Sequence, residues 1–576
     1  MQPGTVAGCA AISPSPDLRM HKTPRLPFPT LARCASAFAA AGLLISASAC
    51  AQSAESHDGP RFEISFPTSA HAGPVTGRVY VAISRLTDTS GTPIQRTGET
   101  GDPLFGKNVE NLSPGQHAII DASAFGHPIQ SLKDLPAGKY RVEPFVNVYT
   151  KFARADGHTV WLHMDQWEGQ NWKRSPGNMY GDPVVISFDP KSTKPISLVA
   201  DKVIPPIAMP ADNENVKHIK FQSAILSKWW GHPIYLGATV LLPRDYDKHP
   251  DVKYPVVYDE GHFSLAAPAG FGRITGAGAS FTKYWLADGT PRVILVTLQH
   301  PSPYYDDSYG VNSENNGPYG DAIEKELLSE VETKFRVKRE SWARLLTGGS
   351  TGGWISLAHQ VMYPDTYGGT WSLCPDGVDF RYHQIVNIYD DANAYWVNGG
   401  SWMKLERPDS RKPDGNITAM MKDENWYELA VGDDSRSGGQ WDIWQATYGP
   451  VGADGYPAPI WNKKTGVIDK KVAAYWKQNY DLRNILETNW PTLGPKLANK
   501  INVYVGDADT YYLNMGVRML NGFLSKATNP TPTGEIVFQP MAPHCWGPSM
   551  AELIPKMTTH MEKYAPAGAD LKTWRY

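Results

Sequence analysis

The residues most able to do chemistry are Gly348-Gly349-Ser350-Thr351-Gly352-Gly353, placed directly after the apolar run Ala343-Arg344-Leu345-Leu346. They read as a G-x-S-x-G nucleophile elbow. A serine hydroxyl attacks poorly unless it is held exposed and beside a base. A sharp strand-to-helix turn does this, and glycines around Ser350 let strand and helix approach without a Cβ clash. The N–H of Thr351 then falls at a helix start, where it can donate to an oxyanion. The following segment, Trp354 to Met362, has helical spacing and ends at Tyr363-Pro364. Strand, elbow and helix thus come in the order the motif requires.

A nucleophilic serine needs a base and a group to orient it. On an open sheet the chain order is Ser, acid, His, each just past a strand end. Asp509 lies in Gly506-Asp507-Ala508-Asp509 after the strand ending at Val505, and His544 follows the strand ending near Gln539. Asp509 is the expected orienter. Asp507 is the alternative acid, and as the nearer of the two to the strand end it would instead shape the turn. His560 falls in a terminal amphipathic helix and reads as a surface residue. The second oxyanion donor is expected after the third strand, at Gly261-His262, with the N–H of His262 first and its imidazole lining the pocket. Asp259 and Glu260 are expected to point away. His262, His300, Asp306 and Asp307 lack H-E-x-x-H or C-x-x-C spacing, so no metal or cofactor is expected.

The elements that must position these residues alternate between β and α from about Ile219 onward. Strands are expected at 235–243, 254–259, 293–298, 345–346, 369–374, 501–505 and 535–539, with a helix over 319–335. This predicts an α/β fold with a mostly parallel sheet covered on both faces. The rhythm breaks between 380 and 492, a stretch rich in tryptophan that reads as a partly helical cap over the site, its indoles supplying stacking area for substrate. Residues 61–198 show short alternating runs with turn signals and read as a β-sandwich domain. A Pro-rich linker over 199–218 leads to a catalytic domain over 219–576.

From about Ile219 to the C-terminus the chain resembles the putative-esterase family of the α/β-hydrolases, which includes esterase D, enterochelin esterases and bacterial feruloyl esterases. The resemblance rests on Val240-Leu241-Leu242-Pro243-Arg244-Asp245-Tyr246, Tyr254 to Gly261, Leu346 to Gly353 and Tyr363-Pro364-Asp365. It implies ester hydrolysis through an acyl-enzyme without a metal. Glu260-Gly261 replaces the family's more usual His-Gly, and the 380–492 insertion exceeds the family minimum, so substrate does not carry over. In tannase-like esterases a cysteine after the catalytic histidine pairs with one just before the nucleophile. Here Cys545 follows His544, but Gly349 occupies the other place. Cys374 is the partner left in the body, so the two either bridge or stay as thiols.

The 576 residues are too many for one core, and a formal charge of −3 gives no footprint for nucleic acid. Arg25 and Arg33, the apolar run 34–45 and the small residues up to Ala51 read as a signal peptide over residues 1–51, with Met20 as an alternative start. Cleavage after Ala51 would release a periplasmic or secreted protein; a lipid anchor at Cys50 is the alternative. No later stretch has the length and apolarity to span a membrane. The expected function is an exported serine carboxylic-ester hydrolase acting on a small-molecule or carbohydrate ester, including feruloyl or acetyl esters. Rivals are a serine peptidase, an acyltransferase and a non-catalytic carbohydrate-binding protein.

Overall fold

Eight strands form the sheet that carries the site: β1 Val216–Gln222, β2 Tyr235–Leu241, β3 Val256–Glu260, β4 Ile294–Gln299, β5 Arg344–Gly349, β6 Gly369–Leu373, β7 Ile501–Gly506 and β8 Ile536–Gln539. In the computed structural model, residues 59–576 are described. The leader expected over residues 1–51, with Met20 and Cys50, lies outside them. The strand order is β1-β2-β4-β3-β5-β6-β7-β8. β2 runs antiparallel to β1 and β4, and β4, β3, β5, β6, β7 and β8 are mutually parallel. This is the α/β-hydrolase architecture expected from the alternating pattern. The central strands are apolar almost throughout because helices cover both faces. Val256, Val257, Tyr258, Ile294, Leu295, Val296, Leu345 and Leu346 are all buried. Parallel strands end on one edge of such a sheet, and that edge collects the loops that bear function.

The helix α1, Thr351–Met362, follows β5 directly and packs between β5, β6 and β3. The long connection from β6 to β7 holds two hairpins, Trp396–Asn398 with Lys404–Glu406 and Pro408–Arg411 with Ile417–Met420. It also holds α2 Met421–Val431, α3 Gln440–Tyr448, α4 Lys470–Asn479 and α5 Leu482–Leu497.

The tryptophans of this insertion do not do what their number suggested. Trp441, Trp461 and Trp476 are buried, and with Trp444 they surround His383 at ring-centroid distances of 5.3, 6.1, 5.3 and 4.6 Å respectively. Trp402 is fully exposed. The insertion needs a core of its own, and its indoles mostly supply it.

Burial pushes the His383 pKa down from 6.5 to about 3. The unfolded chain therefore takes up a proton that the folded chain refuses. The stability tied to this neutral histidine is intact above pH 6.5 and lost as pH falls toward 3. His383→Phe keeps an aromatic ring in the box and should flatten the fall in Tm between those two pH values. An acid slope equal to that of the parent would overturn this reading.

Residues 61–199 contain a three-stranded sheet of Ile196–Val199, Phe62–Ser65 and Ala118–Ile120, and a larger sheet built on Gly138–Val148, Val75–Arg85 and Leu104–Leu112. Phe62, Ile64 and Ile120 of the first pack with Val79, Val81 and Val142 of the second. This β part and the catalytic part share packing. Phe152, Val160 and Leu162, on a hairpin of Thr150–Ala153 with Thr159–Leu162, join the core of the catalytic sheet. The β part also grips the insertion at the end of α2. Arg78 Nη2 donates to Ala430 O at 3.0 Å, Tyr80 Oη to Val431 O at 2.6 Å, and Asn108 Nδ2 to Asp433 Oδ2 at 2.7 Å. Among the described residues no helix is long and apolar enough to cross a membrane.

Candidate active site

Three tight backbone contacts explain the glycines of the elbow. A Cβ on Gly352 would fall 1.9 Å from Glu260 O, one on Gly348 2.4 Å from Gly352 O, and one on Gly353 2.3 Å from Leu373 O. β3, β5, β6 and the start of α1 therefore meet at van der Waals contact, and only glycine allows it. Ser350 sits at the apex with φ 57° and ψ −120°, a backbone region that costs a non-glycine residue strain. Its N–H donates to Leu373 O at 3.0 Å, which fixes the turn against β6.

The structure brings together Ser350, His544 and Asp509. Ser350 Oγ lies 2.9 Å from His544 Nε2, and His544 Nδ1 lies 2.8 Å from Asp509 Oδ2. Asp509 is fully buried. Its other oxygen accepts from the N–H groups of Tyr511 at 2.9 Å and Leu513 at 3.2 Å. These bonds hold the carboxylate in place behind the imidazole. Asp507 points elsewhere: it pairs with Arg518 and is well exposed. The Tyr511 ring meets the His544 imidazole edge-on at 5.0 Å. The arrangement can withdraw a proton from Ser350 Oγ through an imidazole whose tautomer is fixed from behind.

Thr351 opens α1, so its N–H has no partner within the helix. The backbone at Glu260-Gly261 lies against Gly352, which places the loop bearing His262 beside Ser350. Gly261 has no left-handed φ, and a Cβ there would meet open space; the glycine that this approach requires is Gly352. Glu260 does point away, to the buried His300 at 3.3 Å. His262, Asp306 and Asp307, scattered in sequence, converge on the edge of the site. His262 Nδ1 lies 3.0 Å from Asp306 Oδ1 and 3.5 Å from Asp307 Oδ2. Burial opposes charge on His262, but the two carboxylates outweigh it and raise its pKa to about 11. An imidazolium therefore flanks the nucleophile.

A cavity of about 420 Å³ opens on Ser350 and His544 and is lined also by His262, Asp376, Gln384, Glu424, Gln440, Trp444, Tyr511 and Leu513. Gln384, Glu424, Gln440 and Trp444 come from the insertion, which therefore roofs the site. The lining mixes polar and apolar surface about evenly, and Trp444 alone among the expected cap tryptophans reaches it. Burial pushes Glu424 well above the usual carboxylate range, and Trp441 Nε1 donates to it at 2.9 Å.

Cys374 and Cys545 form a disulfide. It ties the loop after β6 to the residue after His544. A Cβ on Gly349 would lie 3.5 Å from Cys545 Sγ, so the bridge passes beside the residue before the nucleophile although its partner comes from another strand. His560 is half-buried rather than on the surface, with Nε2 3.0 Å from Gly368 O. Sequence reasoning missed Asp376, whose Oδ1 lies 3.3 Å from Ser350 Oγ. The available signal was a carboxylate three residues past the end of β6, in Cys374-Pro375-Asp376.

Residues 235–427 match the family model described as Putative esterase. Over these residues the chain is similar to the esterase family, on a sheet of α/β-hydrolase architecture. No curated protein matches the chain. Among solved structures, a ferulic acid esterase is similar at 14% identity over 61% of this chain and 100% of its own, with a TM-score of 0.34. An S-formylglutathione hydrolase from Agrobacterium tumefaciens is similar at 11% identity over 62% of this chain and 98% of its own, with a TM-score of 0.33. A feruloyl esterase module from Clostridium thermocellum is similar at 12% identity over 61% and 90%, with a TM-score of 0.28. The chain thus joins a match to the esterase family model over residues 235–427 with a Ser350–His544–Asp509 site roofed by an insertion.

Proposed function

We propose that this esterase works through an acyl-enzyme on Ser350 and cleaves short-chain esters of hydroxyl-rich compounds. The observation that carries the proposal is the hydrogen-bonded chain Asp509–His544–Ser350 opening into a cavity walled by Gln384, Glu424 and Gln440 as well as Trp444 and Leu513. His544 takes the Ser350 proton as Oγ attacks the ester carbonyl, then gives it to the leaving alcohol. Asp509 holds the imidazole and stabilises its charged form. The N–H groups of Thr351 and His262 receive the oxyanion. Water then attacks the acyl-enzyme by the same route.

The cavity favours some esters over others. Long acyl chains gain about 0.8 kcal/mol per buried CH₂ where the walls are apolar. Here the apolar surface of Leu513, Trp444 and the Tyr511 ring is interrupted by Gln384, Glu424 and Gln440, which offer donors and acceptors for hydroxyl groups in place of a continuous apolar channel. Acetyl or feruloyl esters of carbohydrates fit this lining. p-Nitrophenyl acetate should be cleaved at least about tenfold faster than p-nitrophenyl decanoate, and acetylated xylo-oligosaccharide or a feruloylated sugar faster still relative to its size. Preference for the decanoate would overturn the polar-substrate reading. Faster cleavage of peptide anilides would favour a peptidase, acyl capture by an added sugar a transferase, and binding without turnover a carbohydrate-binding protein.

The leader pattern places the enzyme outside the cytoplasm in this proposal. A mature N-terminus at Gln52 is the expected result; a lipidated Cys50 would replace a soluble enzyme with an anchored one.

A further inference from the structure

Asp376 has no part in the triad, yet it is 3% exposed and touches the nucleophile. The donors and acceptors around it fix the direction of that contact. Trp444 Nε1, which can only donate, gives a hydrogen bond to Tyr309 Oη at 2.6 Å. Tyr305 Oη donates to Gln440 Oε1 at 2.6 Å, which turns the Gln440 amide nitrogen toward Tyr309 Oη as a second donor. Both lone pairs of Tyr309 are then engaged. Its own proton goes to Asp376 Oδ2, 2.5 Å away. Oδ2 is therefore the accepting oxygen, and it also receives Thr351 Oγ1 at 3.3 Å. On the other side, the Ser350 proton is committed to His544 Nε2. The 3.3 Å contact from Oδ1 to Ser350 Oγ is attractive in this arrangement when Oδ1 carries a proton.

We propose that Asp376 is a further catalytic residue, a neutral carboxylic acid whose Oδ1–H donates to Ser350 Oγ and speeds deacylation. The proposal rests on the acyl-enzyme reading above. A donor on Oγ does not help the attack, because it draws density from the nucleophile. It helps the departure. In deacylation, water adds to the acyl carbonyl carbon as His544 Nε2 takes its proton. The tetrahedral intermediate then collapses and the C–Oγ bond breaks. Its electron pair goes to Oγ, which takes the proton from His544 Nε2 as the carboxylic acid product forms. Asp376 keeps its own proton throughout. Its hydrogen bond strengthens as negative charge builds on Oγ, so it is stronger in the transition state than before it.

Burial of Asp376 favours its neutral form. Burial raises its pKa, against the hydrogen bonds from Tyr309 and Thr351 and the positive fields of His544 and His262 when these are charged. Tyr305 and Tyr448 face it as well. The neutral form thus persists above the ordinary carboxylate range, and deacylation should slow as pH rises through the shifted value. Because Gln440 and Trp444 lie on α3 and complete the chain of donors, the roof of the site is coupled to the nucleophile.

Pre-steady-state hydrolysis of p-nitrophenyl acetate, with the acyl group on Ser350 followed by mass spectrometry, separates the two half-reactions. Asp376→Ala should slow deacylation roughly tenfold to a hundredfold, the span of a hydrogen bond to a charged group, while acylation stays within a few-fold. The acyl-enzyme then accumulates and a burst grows. Asp376→Asn can accept from Tyr309 and still donate to Oγ. It should restore deacylation to within a few-fold of the parent and abolish the fall of that step with rising pH. Equal loss in both half-reactions, or an Asn variant no better than the Ala variant, overturns the role of Asp376. If the Ala variant does not fold, the Asn variant decides alone, and a fall with rising pH identical to the parent's overturns the proposal. A parent enzyme that hydrolyses the ester without acylating Ser350 instead sinks the acyl-enzyme reading.

Discussion

Ser350→Ala should lower kcat/KM on any ester the enzyme cleaves by about a thousandfold or more, with little change in Tm. The size of the loss follows from what remains. His544, Asp509 and the oxyanion donors would still be in place, and such remnants retain modest catalysis over water. They lack an atom to carry the acyl group. The stability expectation follows from the contacts of Oγ, which bonds to His544 and Asp376. The strained backbone at φ 57° is set by the glycines and by the Ser350 N–H bond to Leu373 O, and alanine keeps the same Cβ. A phosphonate probe that esterifies active serines should label the parent on the peptide containing Ser350 and leave the variant unlabelled. Undiminished turnover in the purified variant would remove Ser350 from the mechanism.

The site was legible where chemistry imposes local rules, and illegible where it depends on packing between distant segments. The elbow glycines must sit beside Ser350, and the acid and base must follow strand ends, so Ser350, Asp509 and His544 could be nominated from order alone. The sheet was equally open to reading, because strands covered on both faces are written as apolar runs such as Val256-Val257-Tyr258. Gly352 shows the limit of that reasoning. Its motif position was plain, but that Glu260 O sits where its Cβ would be is a fact about another strand. The insertion was the least legible part. A tryptophan gives the same letter whether it lines a cavity, as Trp444 does, or fills a core around a neutral histidine, as Trp441, Trp461 and Trp476 do. The convergence of His262 with Asp306 and Asp307, and of Tyr309, Gln440 and Trp444 on Asp376, joins loops over 40 residues apart in sequence, and no spacing rule announces it.

Asp509→Asn should cost up to about 10⁴-fold in kcat/KM, whereas Asp507→Asn should stay close to the parent. The two residues are neighbours in one loop, so the comparison isolates role from location. Asp509 is buried, faces His544 Nδ1 at 2.8 Å and is held by two backbone N–H groups on its other oxygen. In the Asn variant the side-chain oxygen stays with those N–H donors, and the amide NH₂ turns toward His544. Nδ1 must then accept rather than donate, which puts the imidazole proton on Nε2, the atom that should receive the Ser350 proton. The base is blocked by its tautomer, and the counter-charge for the imidazolium is gone. Asp507 has neither function: its carboxylate is exposed and pairs with Arg518 on a surface helix face, where such pairs contribute about 0–1 kcal/mol to stability. Steady-state kinetics of both variants on p-nitrophenyl acetate, with Tm measured alongside, provide the test. If Asp507→Asn proved the more damaging of the two at equal stability, the orienting carboxylate would have been assigned to the wrong side of Ala508.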